Sequence, residues 1–390
     1  MLKSIAVRLS AAAFLLLPAY AHTEFNPRAY SKHVAACNAT RRAPESETVE
    51  LKLRYVDINP SATKTMLMVH GWPGLWSTWS NQIEEFKGDY RLIIPDLRGF
   101  GESTHPGDTR SSGNMGDIVG DLACILKNAG VRSVVCMGHD WGSQVCYEAA
   151  RMRPDIVAAV IGAVVPYIPS AGPFVPIKAL VPMLPKLTYQ LFFDARLDDA
   201  VAELDQDIRR TVRATLRTVD SPPPDAYLQS SESFLDSWRD VEEISPIPFF
   251  TADQEDYFVE QYQIQGFKNT LQFYMTENRL ASWKLAQRQA NFTIPVPTLA
   301  IYPLNDPVAD WMVAASMLKT SKFVPHLTTE VLFSHFCKLQ AFANSVLSRC
   351  KTLEGAHWVH LENPIKFNSI VRTWLRKLFD DKKTRSADEL

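Results

Sequence analysis

Cysteine is scarce in this chain, with six in 390 residues, too few for a disulfide scaffold. No Cys/His spacing resembles a zinc site, so no metal is expected. An excess of one charge is also missing: 41 Lys and Arg against 43 Asp and Glu leave a formal net charge of −2. Without a basic stripe the sequence lacks the electrostatic footprint of a nucleic-acid binder. Long hydrophobic runs are absent too. The apolar stretch at residues 11–17 is far shorter than the about 20 residues a membrane span needs, and residues 174–193 are interrupted by Pro176, Pro182 and Pro185 and carry Lys178 and Lys186. No internal repeat recurs at a fixed period. What is there is a chain with 46% hydrophobic and 22% charged residues. It can bury a large core, as one large domain or two modest ones, and it suits a small-molecule partner.

Residues 1–21 combine Lys3 and Arg8, an apolar stretch and a small-x-small end, Ala19-Tyr20-Ala21. This is the pattern of a secretory signal peptide cleaved before His22, with no transmembrane segment after cleavage. Ala387-Asp388-Glu389-Leu390 differs by one residue from the receptor-read Lys-Asp-Glu-Leu address and ends a polar tail, residues 380–390. The expected location is the endoplasmic reticulum lumen, with recognition of the C-terminus by a retention receptor; secretion is the second choice. Asn38 and Asn291 head sequons that would be usable there, making the protein a glycoprotein. Cys124, Cys136 and Cys146 lie in apolar helix or strand patterns and read as buried thiols. Cys37, Cys337 and Cys350 could pair in an oxidising lumen, with connectivity left open.

Alternation of apolar with charged residues over 49–55 predicts an edge strand with one wet face. Short apolar runs at 66–69, 91–95 and 133–137 each lead into Gly- or Pro-marked turns and then into helical patterns such as 115–129. Strands alternating with helices predict an α/β fold with a mainly parallel sheet flanked by helices, in which ligands bind at the carboxyl ends of the strands. Residues 167–292 break the alternation: they are rich in helix formers and proline, and a further strand follows at 298–302. The expected organisation is therefore a core in two parts, 22–166 and 293–379, with an inserted helical cap at 167–292. Pro222-Pro223-Pro224 is expected in a surface loop of that cap.

After the 133–137 strand comes Gly138-His139-Asp140-Trp141-Gly142, the Gly-x-nucleophile-x-Gly elbow that holds a nucleophile on a strand-to-helix turn. Here the nucleophile slot holds Asp140. A carboxylate is unsuited to accept an acyl group, but it can attack an electrophilic sp3 carbon and form an alkyl ester, which narrows the chemistry to epoxides and alkyl halides. His70-Gly71-Trp72-Pro73-Gly74 follows the 66–69 strand, where such a sheet supplies its second oxyanion donor; the backbone N–H groups of Trp72 and Trp141 are the candidates. Asp96-Leu97-Arg98-Gly99-Phe100-Gly101 reads as a structural turn. Gly355-Ala356-His357-Trp358-Val359-His360 offers a water-activating base, His357, with His360 as the alternative, and the loop after 298–302 offers Asp306 as its orienting acid, with Asp310 as the alternative.

With these residues in place the sequence resembles the epoxide hydrolases of the α/β-hydrolase fold over residues 49–378. The resemblance rests on the His-Gly-Trp-Pro loop, the Gly-His-Asp-Trp-Gly elbow and two cap segments, Leu187-Thr188-Tyr189-Gln190-Leu191 and Leu271-Gln272-Phe273-Tyr274. It implies an Asp-His-Asp triad that needs no cofactor, a hydrophobic epoxide as substrate, and Tyr189 and Tyr274 as donors to the epoxide oxygen. An alkoxide leaving group is strongly basic, so a phenol with pKa about 10 is a chemically sensible acid for it. Haloalkane dehalogenases share the Asp elbow and could grip a halide through Trp72 and Trp141, but do not need the tyrosine pair. A non-catalytic lumenal binding protein on the same fold is the third reading, and the complete set of nucleophile, acid and base argues against it.

One segment departs from the family pattern. Joining Thr329-Glu330-Val331 directly to Leu353-Glu354-Gly355-Ala356-His357 would give an ordinary strand and histidine loop, yet residues 332–352 interrupt it. They read either as a helical surface insertion or as a retained intron in the gene model.

Overall fold

The computed structural model describes residues 25–330 and 355–388. Residues 1–21, the 332–352 segment with Cys337 and Cys350, and the terminal Glu389 and Leu390 lie outside the described residues. The strands are β1 (Lys32–Arg41), β2 (Glu47–Ile58), β3 (Thr65–Val69), β4 (Arg91–Pro95), β5 (Val134–His139), β6 (Val157–Ala163), β7 (Thr298–Ile301) and β8 (Leu327–Glu330). They form one sheet in the order β1-β2-β4-β3-β5-β6-β7-β8. Pairing is antiparallel for β1 with β2 and for β2 with β4, and parallel across the rest.

The uninterrupted apolar character of the central strands follows from burial on both faces. Along β3, Leu67 and Val69 enter one core while Met66 and Met68 enter the other, and β4 divides Ile93 from Leu92 and Ile94 in the same way. The first core takes helix α2 (Met115–Asn128) and α3 (Trp141–Met152); the second takes α1 (Ser80–Phe86) and α13 (Pro364–Asp388). Helix α2 starts where it does because Asn114 and Asp117 close a reciprocal capping box. Between β6 and β7 come α4 (Ile177–Leu180), α5 (Tyr189–Ala195), α6 (Leu197–Gln206), α7 (Ile208–Thr215), α8 (Ala252–Gln263) and α9 (Thr276–Gln289), with a 3-10 helix at Lys268–Tyr274. This helical insertion lies over the carboxyl ends of the parallel strands. Two short helices, α10 (Trp311–Met317) and α11 (Thr320–Phe323), separate β7 from β8, and α12 (Val359–Glu362) precedes α13. No described helix is long and apolar enough to cross a membrane.

Two expectations are corrected. The strand at 49–55 is not an edge: β2 pairs with β4 on one side and with β1 on the other. On that side of the sheet the edge strand is β1, whose buried face, Ala35, Cys37 and Ala39, is too small and mildly apolar to stand out by periodicity. The cysteines expected as buried thiols are disulfide-bonded: Cys37 with Cys124, joining β1 to α2, and Cys136 with Cys146, joining β5 to α3. Sequence burial patterns do not separate a thiol from half of a cystine; that depends on which element lies opposite. Both sequon asparagines, Asn38 and Asn291, are exposed.

Candidate active site

Asp140 alone makes the turn between β5 and α3, at φ +55°, a backbone region that costs a non-glycine residue about 1–3 kcal/mol. The crowding around it explains the two glycines. A Cβ on Gly142 would run into the carbonyl oxygen of Val69, and one on Gly138 into the carbonyl of Gly142.

The loop after β3 meets this turn. Leu97 N–H donates to His70 Nε2 at 3.0 Å, so His70 carries its proton on Nδ1 and donates it to the Gly71 carbonyl at 2.9 Å. Burial keeps this imidazole neutral by lowering its pKa. A loop held in this way directs the Trp72 backbone N–H to Asp140 Oδ1 at 3.0 Å, and the Trp141 N–H donates to the same carboxyl group. The Trp72–Pro73 peptide is cis. Burial raises the Asp140 pKa, against the opposing influence of His357 and the two N–H groups.

On the opposite side, His357 Nε2 lies 3.6 Å from Asp140 Oδ2, and its Nδ1 lies 2.8 Å from Asp306 Oδ2. Asp306 is fixed by the Val308 N–H at 2.8 Å and the Trp311 indole N–H at 2.6 Å. Burial works against the imidazolium, but the neighbouring carboxylates of Asp306 and Asp140 outweigh it and lift the His357 pKa to about 9. The pair of acidic neighbours thus favours the imidazolium form of His357 in the resting site.

Two residues missed at the sequence level shape this loop. His139 Nε2 donates to the His357 carbonyl at 2.8 Å, and burial, reinforced by His360 and His357, holds His139 neutral. Glu362 accepts from the Ala356 N–H at 2.6 Å and from the Val219 N–H at 2.8 Å, tying the histidine loop to the helical insertion. Asp310, the alternative acid, caps α10 by accepting from the N–H groups of Met312 and Val313. His360, the alternative base, packs against Trp79 and His139, and its burial beside His357 lowers its pKa to about 3.

Tyr189 starts α5, and Tyr274 ends the 3-10 helix that precedes α9. Their rings pack 5.7 Å apart, and that of Tyr274 meets Trp72 and Trp141 edge-on at 5.5 and 5.7 Å. The Tyr274 segment is fixed to the core by Gln272, which donates to the Arg98 carbonyl at 2.8 Å, and by Thr270, which accepts the Trp72 indole N–H at 3.0 Å. Burial and the Asp140 charge raise both phenols, Tyr189 to about 12. Both therefore stay protonated and available as donors. Pro222 and Pro223 lie in a loop of the cap, as expected, with Pro222 exposed, and also line a cavity of about 170 Å³ that reaches His357 between Thr215, Arg217 and Asn305. Among the described residues, no group of three or more His, Cys, Asp or Glu side chains is placed to hold a metal ion.

A carboxylate held by two N–H groups at a strand-to-helix elbow, facing a His-Asp pair at the carboxyl ends of a parallel sheet, is the layout of an α/β hydrolase. The family described as alpha/beta hydrolase fold matches residues 64–342, and the chain belongs to it. Among similar proteins, Bifunctional epoxide hydrolase 2 of Sus scrofa is 25% identical over 336 residues, covering 83% of this chain and 53% of that protein. Epoxide hydrolase A of Mycobacterium tuberculosis is 28% identical over 270 residues, covering 67% of this chain and 81% of its own length. The crystal structure of Epoxide Hydrolase A from Mycobacterium thermoresistibile superposes with a TM-score of 0.68 at 25% identity, covering 89% of this chain and 98% of that one. The chain thus spans about half the length of the Sus scrofa relative.

Proposed function

We propose that this α/β hydrolase opens a hydrophobic epoxide and releases a vicinal diol through an alkyl ester on Asp140. The observation that carries the reading is the pair of buried, protonated phenols of Tyr189 and Tyr274 beside the Asp140 carboxylate. The similarity to epoxide hydrolases agrees with it. In the first step Oδ2, the oxygen not held by Trp72, attacks a ring carbon, the ring C–O bond breaks, and a phenol passes its proton to the departing oxygen. Asp140 loses its charge on becoming an ester, so the neighbouring imidazolium becomes more acidic and its proton restores the phenol.

In the second step neutral His357 takes a proton from water, whose oxygen adds to the ester carbonyl carbon of Asp140. The N–H groups of Trp72 and Trp141 stabilise the resulting oxyanion; losing one such donor typically costs about 3 kcal/mol. Collapse expels the second diol oxygen, which takes the remaining water proton, and the carboxylate and imidazolium are restored. Halide abstraction is disfavoured by a specific contact: the Trp72 indole N–H, one of two candidate halide donors, is already bonded to Thr270. The two disulfides support residence in an oxidising compartment.

The test is an intact-mass measurement on His357→Gln mixed with a styrene-type epoxide. Accumulation of protein heavier by one substrate, with the adduct on the peptide containing Asp140, is expected. Full turnover without adduct would reject the two-step route.

A further inference from the structure

Arg279, on α9, plays no part in the chemistry above, yet its side chain reaches that chemistry by two routes. It is partly buried and no carboxylate forms an ion pair with it among the described residues. Its Nε donates to the Phe273 carbonyl at 3.0 Å, its Nη2 donates to Gln190 Oε1 at 2.6 Å, and its guanidinium lies 5.1 Å from the Trp141 ring centre. Gln190 in turn places Nε2 3.2 Å from the Tyr189 hydroxyl oxygen. Donor chemistry fixes the direction of every link. A guanidinium has only donors, so the amide atom facing it must be the oxygen. The amide nitrogen then faces Tyr189, and because it too can only donate, the phenol oxygen must accept. A lone pair of that oxygen is taken, so the hydroxyl proton is left to point elsewhere.

We propose that Arg279 and Gln190 are positioning residues that fix the Tyr189 hydroxyl as a proton donor toward the substrate oxygen; the proposal rests on the epoxide-opening reading. Donation from Gln190 also stabilises the phenolate that forms as the proton leaves, and the positive charge of Arg279 acts in the same direction. These are the two requirements of a general acid held at high pKa in a buried site: correct aim in the ground state and stabilisation of the conjugate base in the transition state.

The discriminating substitution is Gln190→Glu. It keeps the shape and the partner for Arg279 but replaces the donor facing Tyr189 by an acceptor, which invites the phenol proton away from the substrate. The single-turnover ring-opening rate, followed by tryptophan fluorescence, is expected to fall at least about 10-fold, while hydrolysis of the ester is unchanged. In a Tyr189→Phe background the same substitution is expected to have no further effect. Equal losses from Gln190→Glu with and without the phenol would overturn the relay and leave a packing role.

Arg279→Lys, which keeps a charged donor, is expected to retain more ring opening than Arg279→Met; equal loss in both would also count against the proposal. A second readout does not need turnover. Binding of a carboxamide analogue, which offers an acceptor oxygen but no strained ring, is expected to weaken at least about 5-fold in Gln190→Glu and not to weaken further when Tyr189→Phe is added. If wild-type protein opens no epoxide but the carboxamide behaves in this way, the functional reading fails and the relay stands. If the carboxamide binds equally to wild type and Gln190→Glu, the relay fails whatever the activity.

Discussion

The charge on Asp140 is predicted to set the proton affinity of His357, so that the histidine becomes a base only after the ester has formed. Asp140→Asn reproduces the loss of charge without the substrate. With Nε2 and Oδ2 3.6 Å apart, Coulomb's law gives about 1 kcal/mol if the pair is screened as in water and about 5 kcal/mol at an effective dielectric of roughly 20. Asp306 remains in place and keeps part of the elevation. Because the carboxylate favours the imidazolium, removing it must lower the pKa, from about 9 to between about 8 and 5.5 at these energies. NMR titration of the His357 ring in wild type and Asp140→Asn measures this directly. A midpoint that stays near 9 in the variant would refute the reasoning, since the imidazole would then remain protonated at neutral pH in the ester and could not activate water.

Further consequences follow from the same geometry. A His357 pKa raised from 6.5 to about 9 on folding stabilises the native state by about 3 kcal/mol below pH 6.5, and this is lost as pH rises through 9; denaturation of wild type and His357→Gln across that window should converge at the alkaline end. Asp306→Asn should leave the fold intact but lower turnover by roughly 10⁴-fold, because an amide in place of the carboxylate no longer selects the productive tautomer or steadies the imidazolium. Loss of the Cys37–Cys124 bridge, which closes a span of 87 residues, should cost about 4–5 kcal/mol in chemical denaturation. Loss of Cys136–Cys146, separated by 10 residues, should cost about 3 kcal/mol, both from the entropy of the opened loop.

The central strands and the turns that follow them were legible because doubly buried strands read as continuous apolar runs, and because the backbone crowding at Asp140 admits only glycine at 138 and 142. His357 and Asp306 could be picked out because their positions in chain order match the sheet ends that deliver them. Strand β1 was not legible: Ala35, Cys37 and Ala39 bury too little apolar area to rise above their polar neighbours. The pairing of Cys124 with Cys37 depends on β1 lying against α2, which periodicity does not reveal. Arg279 was hidden for a related reason. Helix α9 is polar along most of its length, so nothing local marks the one arginine that turns toward Gln190 and Trp141. His139 lay inside the quoted elbow, but its role depends on a carbonyl 218 positions away.

The most direct test of the account is a single turnover of a styrene-type epoxide in 18O-labelled water, with mass analysis of the diol and of the Asp140 peptide. The account predicts an unlabelled diol from the first turnover and one 18O incorporated in the Asp140 carboxyl group. A labelled diol in that first turnover, with Asp140 unlabelled, would mean that water attacks the epoxide directly and would contradict the alkyl-ester mechanism.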